Sequence, residues 1–151
     1  MIELASCSMD RNLFLRMAKD YAETLAQYDS EIRWDESAWL SSIWRANFIM
    51  EDRTAQGFVM TEHVPFAVYA DALCISEFYI VPEARKRRVG MEAVRTVTKD
   101  WSGDVFLYIL DQNTPARFFW TAVEGELGWK RIQRPEIREE RGCELRVYQT
   151  K

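Results

Sequence analysis

The sequence has few of the residues on which metal centres and disulfide scaffolds depend. His63 is the only histidine among 151 residues, and the three cysteines, Cys7, Cys74 and Cys143, are scattered without a C-x-x-C pair. A single histidine and no clustered thiols argue against a zinc site, so we expect no metal. An odd number of scattered cysteines is typical of reduced thiols, which predicts a cytoplasmic protein.

Long apolar runs and an excess of positive charge are also missing. No stretch approaches the roughly 20 apolar residues that a membrane helix needs. Glu3 stands where a signal peptide would have a basic residue, so we expect neither export nor a membrane partner. The formal net charge of -4 argues against a general nucleic-acid binder and is compatible with a cationic substrate.

The material for a folded core is plentiful. Hydrophobic residues make up 48% of the chain and aromatic residues 13%, and no repeat or Pro/Gly-rich linker interrupts it. These features predict one domain over residues 1–151. The hydrophobic periodicity predicts the order β-α-α-β-β-β-α-β-α-β-β. A central strand–helix–strand unit implies one parallel pair, and the hairpins around it imply antiparallel pairing elsewhere.

Several local expectations accompany this order. Asp10 caps the first long helix. A second helix covers the region from Asp35 to Ala46 and packs Trp39 and Trp44 on the sheet. His63 lies in a surface loop. Trp101 faces inward at the end of the helix that follows Gly90. Thr114 and Pro115 start the next helix, with the threonine hydroxyl as its cap.

The central segment carries the strongest functional pattern. Residues 73–81 form a nearly continuous apolar run that predicts a buried strand, and Pro82 ends it. A basic loop with Arg85, Lys86, Arg87 and Arg88 follows, and a helix opens near Gly90. The first amides of a helix lack intrahelical partners, and a nearby glycine allows close approach. This arrangement therefore predicts a phosphate or diphosphate site.

Two other interpretations of the basic loop stay open. Four consecutive basic residues are often simply a solvated surface, and they could instead contact a nucleic acid, in which case binding would depend steeply on salt. The loop matches neither the Walker pattern nor G-x-G-x-x-G, so the common nucleotide-binding folds are disfavoured.

The segment Phe78-Tyr79-Ile80-Val81-Pro82, followed by Arg85 to Gly90, resembles the acetyl-CoA motif of the GCN5-related N-acetyltransferase superfamily. That motif has a strand, a proline and then [Q/R]-x-x-G-x-[G/A]. Asn113-x-x-Ala116-x-x-Phe119-Trp120 with Gly128-Trp129 resembles the second block of the superfamily. The resemblance implies a mixed, largely antiparallel α/β sheet with its parallel pair at the cofactor site and about four flanking helices.

The resemblance also implies a set of cofactor-binding residues. Backbone groups of Phe78 and Ile80 would pair with the pantetheine arm of acetyl-CoA as an added strand. Amides from Arg87 to Met91, with Val89 and Gly90 between them, would hold the pyrophosphate, and basic side chains of the loop would add charge. Asn113 would contact the cofactor or orient the start of its helix.

The sequence departs from the family pattern at two positions. Arg88 replaces the first glycine of the loop motif; an alternative alignment, Arg87-x-x-Gly90-x-Glu92, keeps a glycine but places a carboxylate where a small residue belongs, so we prefer the first. Trp120 replaces the tyrosine that often protonates the departing thiolate. Tyr79 and Tyr108 are possible replacement acids, although buried tyrosines commonly serve the core.

Glu77 is the only charged residue between Leu73 and Val81, and apolar surroundings raise the pKa of a carboxyl group. It is therefore the candidate general base, with a partly exposed strand residue paired to an arginine as the alternative. Trp34 and Asp35 lie where this fold builds one wall of the acceptor site, and an aromatic ring beside a carboxylate suits a cationic amine.

The sequence therefore predicts an acetyl-CoA-dependent N-acetyltransferase, active as a monomer or homodimer, that transfers an acetyl group directly to an amine on a small molecule or a protein. The alternative is a non-catalytic acyl-CoA-binding or protein-interaction module on the same fold, which the substitutions at Arg88 and Trp120 keep open.

Overall fold

The computed structural model describes residues 1–67 and 70–151, and within them it contains seven strands and four α-helices. The strands are β1 (Ile2–Ser6), β2 (Ala46–Glu51), β3 (Thr54–Ala67), β4 (Ala70–Ile80), β5 (Asp104–Leu110), β6 (Lys130–Ile132) and β7 (Cys143–Gln149). The helices are α1 (Arg11–Ala26), α2 (Glu36–Ser41), α3 (Val89–Thr98) and α4 (Thr114–Leu127). The predicted order of elements is confirmed.

The strands form one mixed sheet with the order β1-β2-β3-β4-β5-β7-β6. The ladders of β1 with β2, β2 with β3, β5 with β7 and β6 with β7 are antiparallel. The single parallel ladder described joins Ala72–Cys74 of β4 to Asp104–Phe106 of β5. A mixed, largely antiparallel sheet with one parallel pair is therefore confirmed.

Side-chain caps explain where the helices begin. The Asp10 carboxylate accepts the Leu13 N–H at 3.1 Å, as predicted for α1. At α4 the prediction was wrong by one residue. The Asn113 side chain, and not the Thr114 hydroxyl, accepts the Ala116 N–H at 3.2 Å, and Thr114 is the first helical residue. Pro115 still occupies the first turn, where its missing N–H costs nothing.

Three other local expectations need correction. The second helix is short and gives way to a 3₁₀ turn, Ile43–Arg45, which rotates the following side chains; Trp44 is 75% exposed instead of packed. His63 lies in β3, not in a loop, and its Nε2 is 3.3 Å from Asp71. Trp101 lies beyond the end of α3, where its indole N–H donates to the Asp104 carbonyl.

The chain divides into two compact units, each with its own core. The first unit comprises Met1–Met60 and Glu77–Lys99, and the second comprises Thr61–Ser76 and Asp100–Lys151. The core of the first unit is rich in aromatic rings from α1, β3 and β4. The core of the second unit is smaller and includes Ala72, Cys74, Phe106, Ile137 and Val147. Among the described residues, no helix combines the length and apolar character needed to cross a membrane.

Candidate active site

The last residues of β4 carry the candidate base into the aromatic core of the first unit. Alternation along the strand places Glu77 and Tyr79 on the same face. The Tyr79 ring lies 5.8 Å from the ring of Tyr21 in α1 and 5.8 Å from that of Phe58 in β3. Glu77 therefore points toward α1, into surroundings that are mostly aromatic.

A bulge in β3 fixes the end of β4. The β2–β3 register shifts between Ile49 and Met50, where Gln56 is the extra residue, and the Gln56 carbonyl accepts the Val81 N–H at 2.8 Å. A Cβ on the neighbouring Gly57 would lie 1.9 Å from the Tyr79 carbonyl oxygen. Only glycine permits this close approach of the β3 and β4 backbones. Gly57 is therefore required to hold the end of β4, which carries Glu77, in this position.

Burial dominates the electrostatics of Glu77. Desolvation raises its pKa from the ordinary 4.5 to about 7, against two opposing effects: a hydrogen bond from the Tyr21 hydroxyl and the positive charge of Arg45. A carboxyl group with this pKa changes its protonation state near neutral pH, which is the property required of a general base.

Tyr21 is the functional candidate that the sequence analysis missed. Its hydroxyl oxygen accepts the backbone N–H of Phe78, and its O–H donates to Glu77. Burial raises the pKa of Tyr21 well above its ordinary value, and the charge of Glu77 raises it further. In the sequence, Tyr21 is one more member of the apolar stripe of α1. The signal that could have identified it is the Tyr21 hydroxyl on that stripe, together with the single carboxylate, Glu77, on a strand predicted to be buried.

The loop after β4 presents backbone amides at the start of α3. Lys86 and Arg88 have φ angles of 65° and 69°, in the left-handed region that few non-glycine residues adopt. Alternation of left- and right-handed residues turns successive N–H groups toward one side and forms an anion-binding concavity. Arg88 thus adopts the conformation that glycine favours, which supports the first of the two motif alignments. α3 begins directly afterwards at Val89.

The basic side chains of this loop have intramolecular partners. Arg85 Nε donates to the Ile80 carbonyl at 2.8 Å, Arg87 Nη1 is 3.2 Å from Glu51, and Arg88 Nη2 is 3.7 Å from Glu92. These pairs are largely exposed, and exposed pairs contribute about 0–1 kcal/mol each. An anion that offers several acceptors can therefore displace them.

A pocket of about 240 Å³ lies beside the same amides. Its lining is Met1, Ile2, Glu51, Arg87, Arg88, Val89, Glu92 and Thr96. Of the predicted cofactor residues, the structure gathers the loop arginines, Val89, Gly90 and Met91 around the first turn of α3. Asn113 belongs to the second unit, where its side chain caps α4.

The two predicted acceptor-site residues have local structural contacts. Trp34 is half-buried and stacks on Trp39 with ring centroids 6.3 Å apart. Asp35 accepts the Ala38 N–H at 3.2 Å and the Ser37 hydroxyl at 3.0 Å, and these hydrogen bonds lower the pKa of its carboxyl group. Its carboxylate therefore caps α2, as Asp10 caps α1.

The three positions considered for a proton donor to the leaving thiolate differ in their surroundings. Trp120 is buried and its indole is not a proton donor of the required acidity. The Tyr108 hydroxyl donates to the Arg138 carbonyl. Burial raises the pKa of Tyr79, whose ring faces the Arg85 guanidinium at 5.7 Å. Among the described residues, no cluster of His, Cys, Asp and Glu could hold a metal ion.

Comparisons with known proteins identify the fold. No protein-family model and no curated protein matches the sequence. An acetyltransferase from Thermus thermophilus matches the structure with a TM-score of 0.70, covering 98% of this chain and 95% of that chain at 16% identity. A GNAT-family acetyltransferase from Streptococcus agalactiae gives 0.66, with 99% and 94% covered at 15% identity. NAA60 of Arabidopsis thaliana, solved in complex with acetyl-CoA, gives 0.60, with 98% and 96% covered at 13% identity. The chain therefore has the fold of the GCN5-related N-acetyltransferases.

Proposed function

We propose that this protein is an acetyl-CoA-dependent N-acetyltransferase in which Glu77 is the general base. The observation that carries the proposal is the position of Glu77. A mostly buried carboxyl group with a pKa of about 7 lies on the strand that leads into an amide-lined basic loop. In a fold shared with acetyltransferases, this combination suits deprotonation of an amine beside a phosphate-containing donor.

The residues around the loop are compatible with coenzyme A. Amides from Arg87 to Met91 would hold the diphosphate, and the left-handed backbone at Arg88 aims them at one side. Phe78 and Ile80 would bind the pantetheine arm through their backbones. The Phe78 N–H already donates to Tyr21, so Phe78 would pair with the arm through its carbonyl group. The Ile80 carbonyl already accepts from Arg85, and this contact would have to give way to the arm.

Glu77 would supply the proton acceptor that aminolysis requires. An alkylamine with a pKa of about 10.4 is neutral only a few times in ten thousand at pH 7. With its pKa of about 7, Glu77 is roughly half ionised at that pH and can take the proton, directly or through water. Acetyl-CoA supplies an activated thioester. The acceptor is an amine on a small molecule or a protein.

The second candidate is a module that binds acyl-CoA without catalysis. Trp120 favours it, because the buried indole stands where the family pattern places a proton donor. The two candidates share the donor site and differ only in turnover, so binding and chemistry must be measured separately.

Calorimetry with acetyl-CoA and a thiol-release assay on a panel of amines test the proposal, using wild type, Glu77→Gln and the exposed control Glu83→Gln. We expect all three to bind acetyl-CoA alike. Turnover should fall about 100-fold or more in Glu77→Gln alone. Binding without turnover in wild type would favour the module. Absence of binding at millimolar acetyl-CoA would overturn both candidates.

A further inference from the structure

The environment of Tyr21 is too specific for a residue that only fills space. Its ring lies 6.0 Å from Trp39, 5.6 Å from Phe58 and 5.8 Å from Tyr79, in edge-to-face contacts that hold its orientation. Three rings from three different elements therefore fix one tyrosine. Its hydroxyl is then brought to a defined point above the backbone of β4.

The hydrogen bonds of that hydroxyl have a fixed direction. Its oxygen accepts the Phe78 N–H, and a backbone N–H in a strand cannot turn away. With the oxygen engaged as an acceptor, its proton is left to donate to the Glu77 carboxyl group. The order is Phe78 N–H to Tyr21 Oη, and Tyr21 O–H to Glu77.

We propose that Tyr21 is a positioning residue for Glu77: the hydroxyl, held by the Phe78 amide and three aromatic rings, orients the carboxylate and determines the pH range in which it can accept a proton. The proposal rests on the proposed function for its catalytic consequence. The hydrogen bond itself and its effect on protonation can be tested without turnover.

The groups that face Glu77 set the direction of the expected change. Tyr21 from α1 and Arg45 from the 3₁₀ turn both favour the ionised carboxylate, while burial disfavours it. Removing the hydroxyl removes the larger of these two effects that oppose burial. The pKa of Glu77 must therefore rise when Tyr21 becomes phenylalanine.

The first experiment is the pH dependence of kcat for wild type and Tyr21→Phe, which keeps the ring and its contacts. Loss of a hydrogen bond to a charged group should raise the midpoint by about one to two pH units and lower kcat at pH 7 by about five- to fiftyfold. KM for acetyl-CoA should not change. Tyr148→Phe is the matched control, because Tyr148 donates to Glu124 in the second unit. Its midpoint should equal that of wild type.

A second experiment measures Glu77 without turnover. Urea unfolding is followed from pH 4.5 to 9 for wild type against Glu77→Gln, and for Tyr21→Phe against the double variant. The pH-dependent difference within each pair reports the Glu77 titration. A higher midpoint in the Tyr21→Phe pair supports the proposal, and equal midpoints overturn it.

If Tyr21→Phe does not fold, carboxyl ¹³C NMR of the wild-type protein replaces the unfolding experiment, with the Glu77 resonance assigned by comparison with Glu77→Gln. A Glu77 midpoint near the ordinary 4.5 would then overturn the proposal, and one near 7 with a hydroxyl proton resonance coupled to Glu77 would support it.

The two experiments distinguish the ways of failing. A shifted unfolding midpoint with no turnover in any protein would overturn the proposed function and support the coupling of Tyr21 to Glu77. Turnover that depends on Glu77 but shows the same pH midpoint in Tyr21→Phe would overturn the positioning role and leave the transferase intact.

Discussion

Each of the two units has a tyrosine packed in or against its core that donates to a glutamate, and the pKa values of the two glutamates are shifted in opposite directions. In the first unit, Tyr21 donates to Glu77. In the second, the Tyr148 hydroxyl donates to Glu124 Oε2 at 2.7 Å. The same pair of functional groups therefore occurs twice, once in the candidate active site and once in the helix–sheet packing of α4 on β7.

The difference lies in the guanidinium groups. Burial raises the pKa of Glu124, but hydrogen bonds from Arg131 and Tyr148, together with the charges of Arg131 and Arg146, outweigh burial and lower it. Arg131 Nε lies 2.7 Å and Arg146 Nη1 3.0 Å from Glu124 Oε2. For Glu77 the compensating effects are the hydrogen bond from Tyr21 and the charge of Arg45, and burial outweighs them. The number of cations that compensate such a Tyr–Glu pair thus determines whether the pKa of the glutamate lies below or above its ordinary value.

The largest predicted effect is the loss of stability when the positive charge of Arg146 is removed from the second unit. The Arg146 side chain is 3% exposed and contacts Glu124 at 3.0 Å and Glu144 at 3.3 Å. Arg146→Met keeps much of the volume but leaves both carboxylates short of a partner, and we expect a loss of about 3–5 kcal/mol. Urea unfolding at pH 7 measures it, with the exposed Arg141→Met as the control near zero. A loss below about 1 kcal/mol would mean that Arg146 contributes no more to stability than an exposed ion pair does.

The second prediction concerns the stability that the first unit gives up by ionising Glu77. Because its folded-state pKa of about 7 exceeds the ordinary 4.5, protonated Glu77 favours folding below pH 4.5, and that contribution is lost as the pH rises through 7. Relative to Glu77→Gln, wild type should lose about 3 kcal/mol between pH 4.5 and 8.5. Parallel urea titrations of the two proteins check this. A difference that is constant over this range would place the Glu77 pKa near its ordinary value and remove the contrast with Glu124.

The sequence supported the fold and the candidate base for identifiable reasons. Glu77 is the only charged residue in the run from Leu73 to Val81, so burial and a raised pKa were predictable from this local pattern. The order of elements was predictable from hydrophobic periodicity and from residues that begin or end an element, such as Asp10 and Pro82. The catalytic role of Glu77 stays a prediction, since periodicity and burial indicate where a carboxyl group lies and not what it does.

Other features could not be predicted because their signal is tertiary. The helical period marks Tyr21 as inward-facing, but only the packing of α1 on β4 shows that its hydroxyl meets Glu77. The residue type of Arg88 carries no signal for a left-handed backbone, since glycine is the residue that indicates one, and only the motif alignment placed Arg88 at a glycine position. Trp44 was misplaced because a 3₁₀ turn replaces the second half of the predicted helix and changes the period from 3.6 to 3.0.

The smallest predicted effect tests whether Arg45 is a distant charge or a true partner of Glu77. The guanidinium of Arg45 donates to Ser42 at 3.2 Å and faces the Trp44 ring at 5.7 Å, and it lowers the pKa of Glu77 through its charge. Arg45→Gln should raise the Glu77 midpoint by about 0.7 pH unit or less, because an ion pair exposed to solvent is worth at most about 1 kcal/mol and is screened by salt. The pH-dependent unfolding of Arg45→Gln, with the turn variant Arg53→Gln as the control, measures it. If the Glu77 midpoint shifts in Arg45→Gln as much as it does in Tyr21→Phe, Arg45 stabilises the Glu77 carboxylate much as Arg146 stabilises that of Glu124. The first unit would then compensate its glutamate much as the second does, and the raised pKa of Glu77 would need another cause.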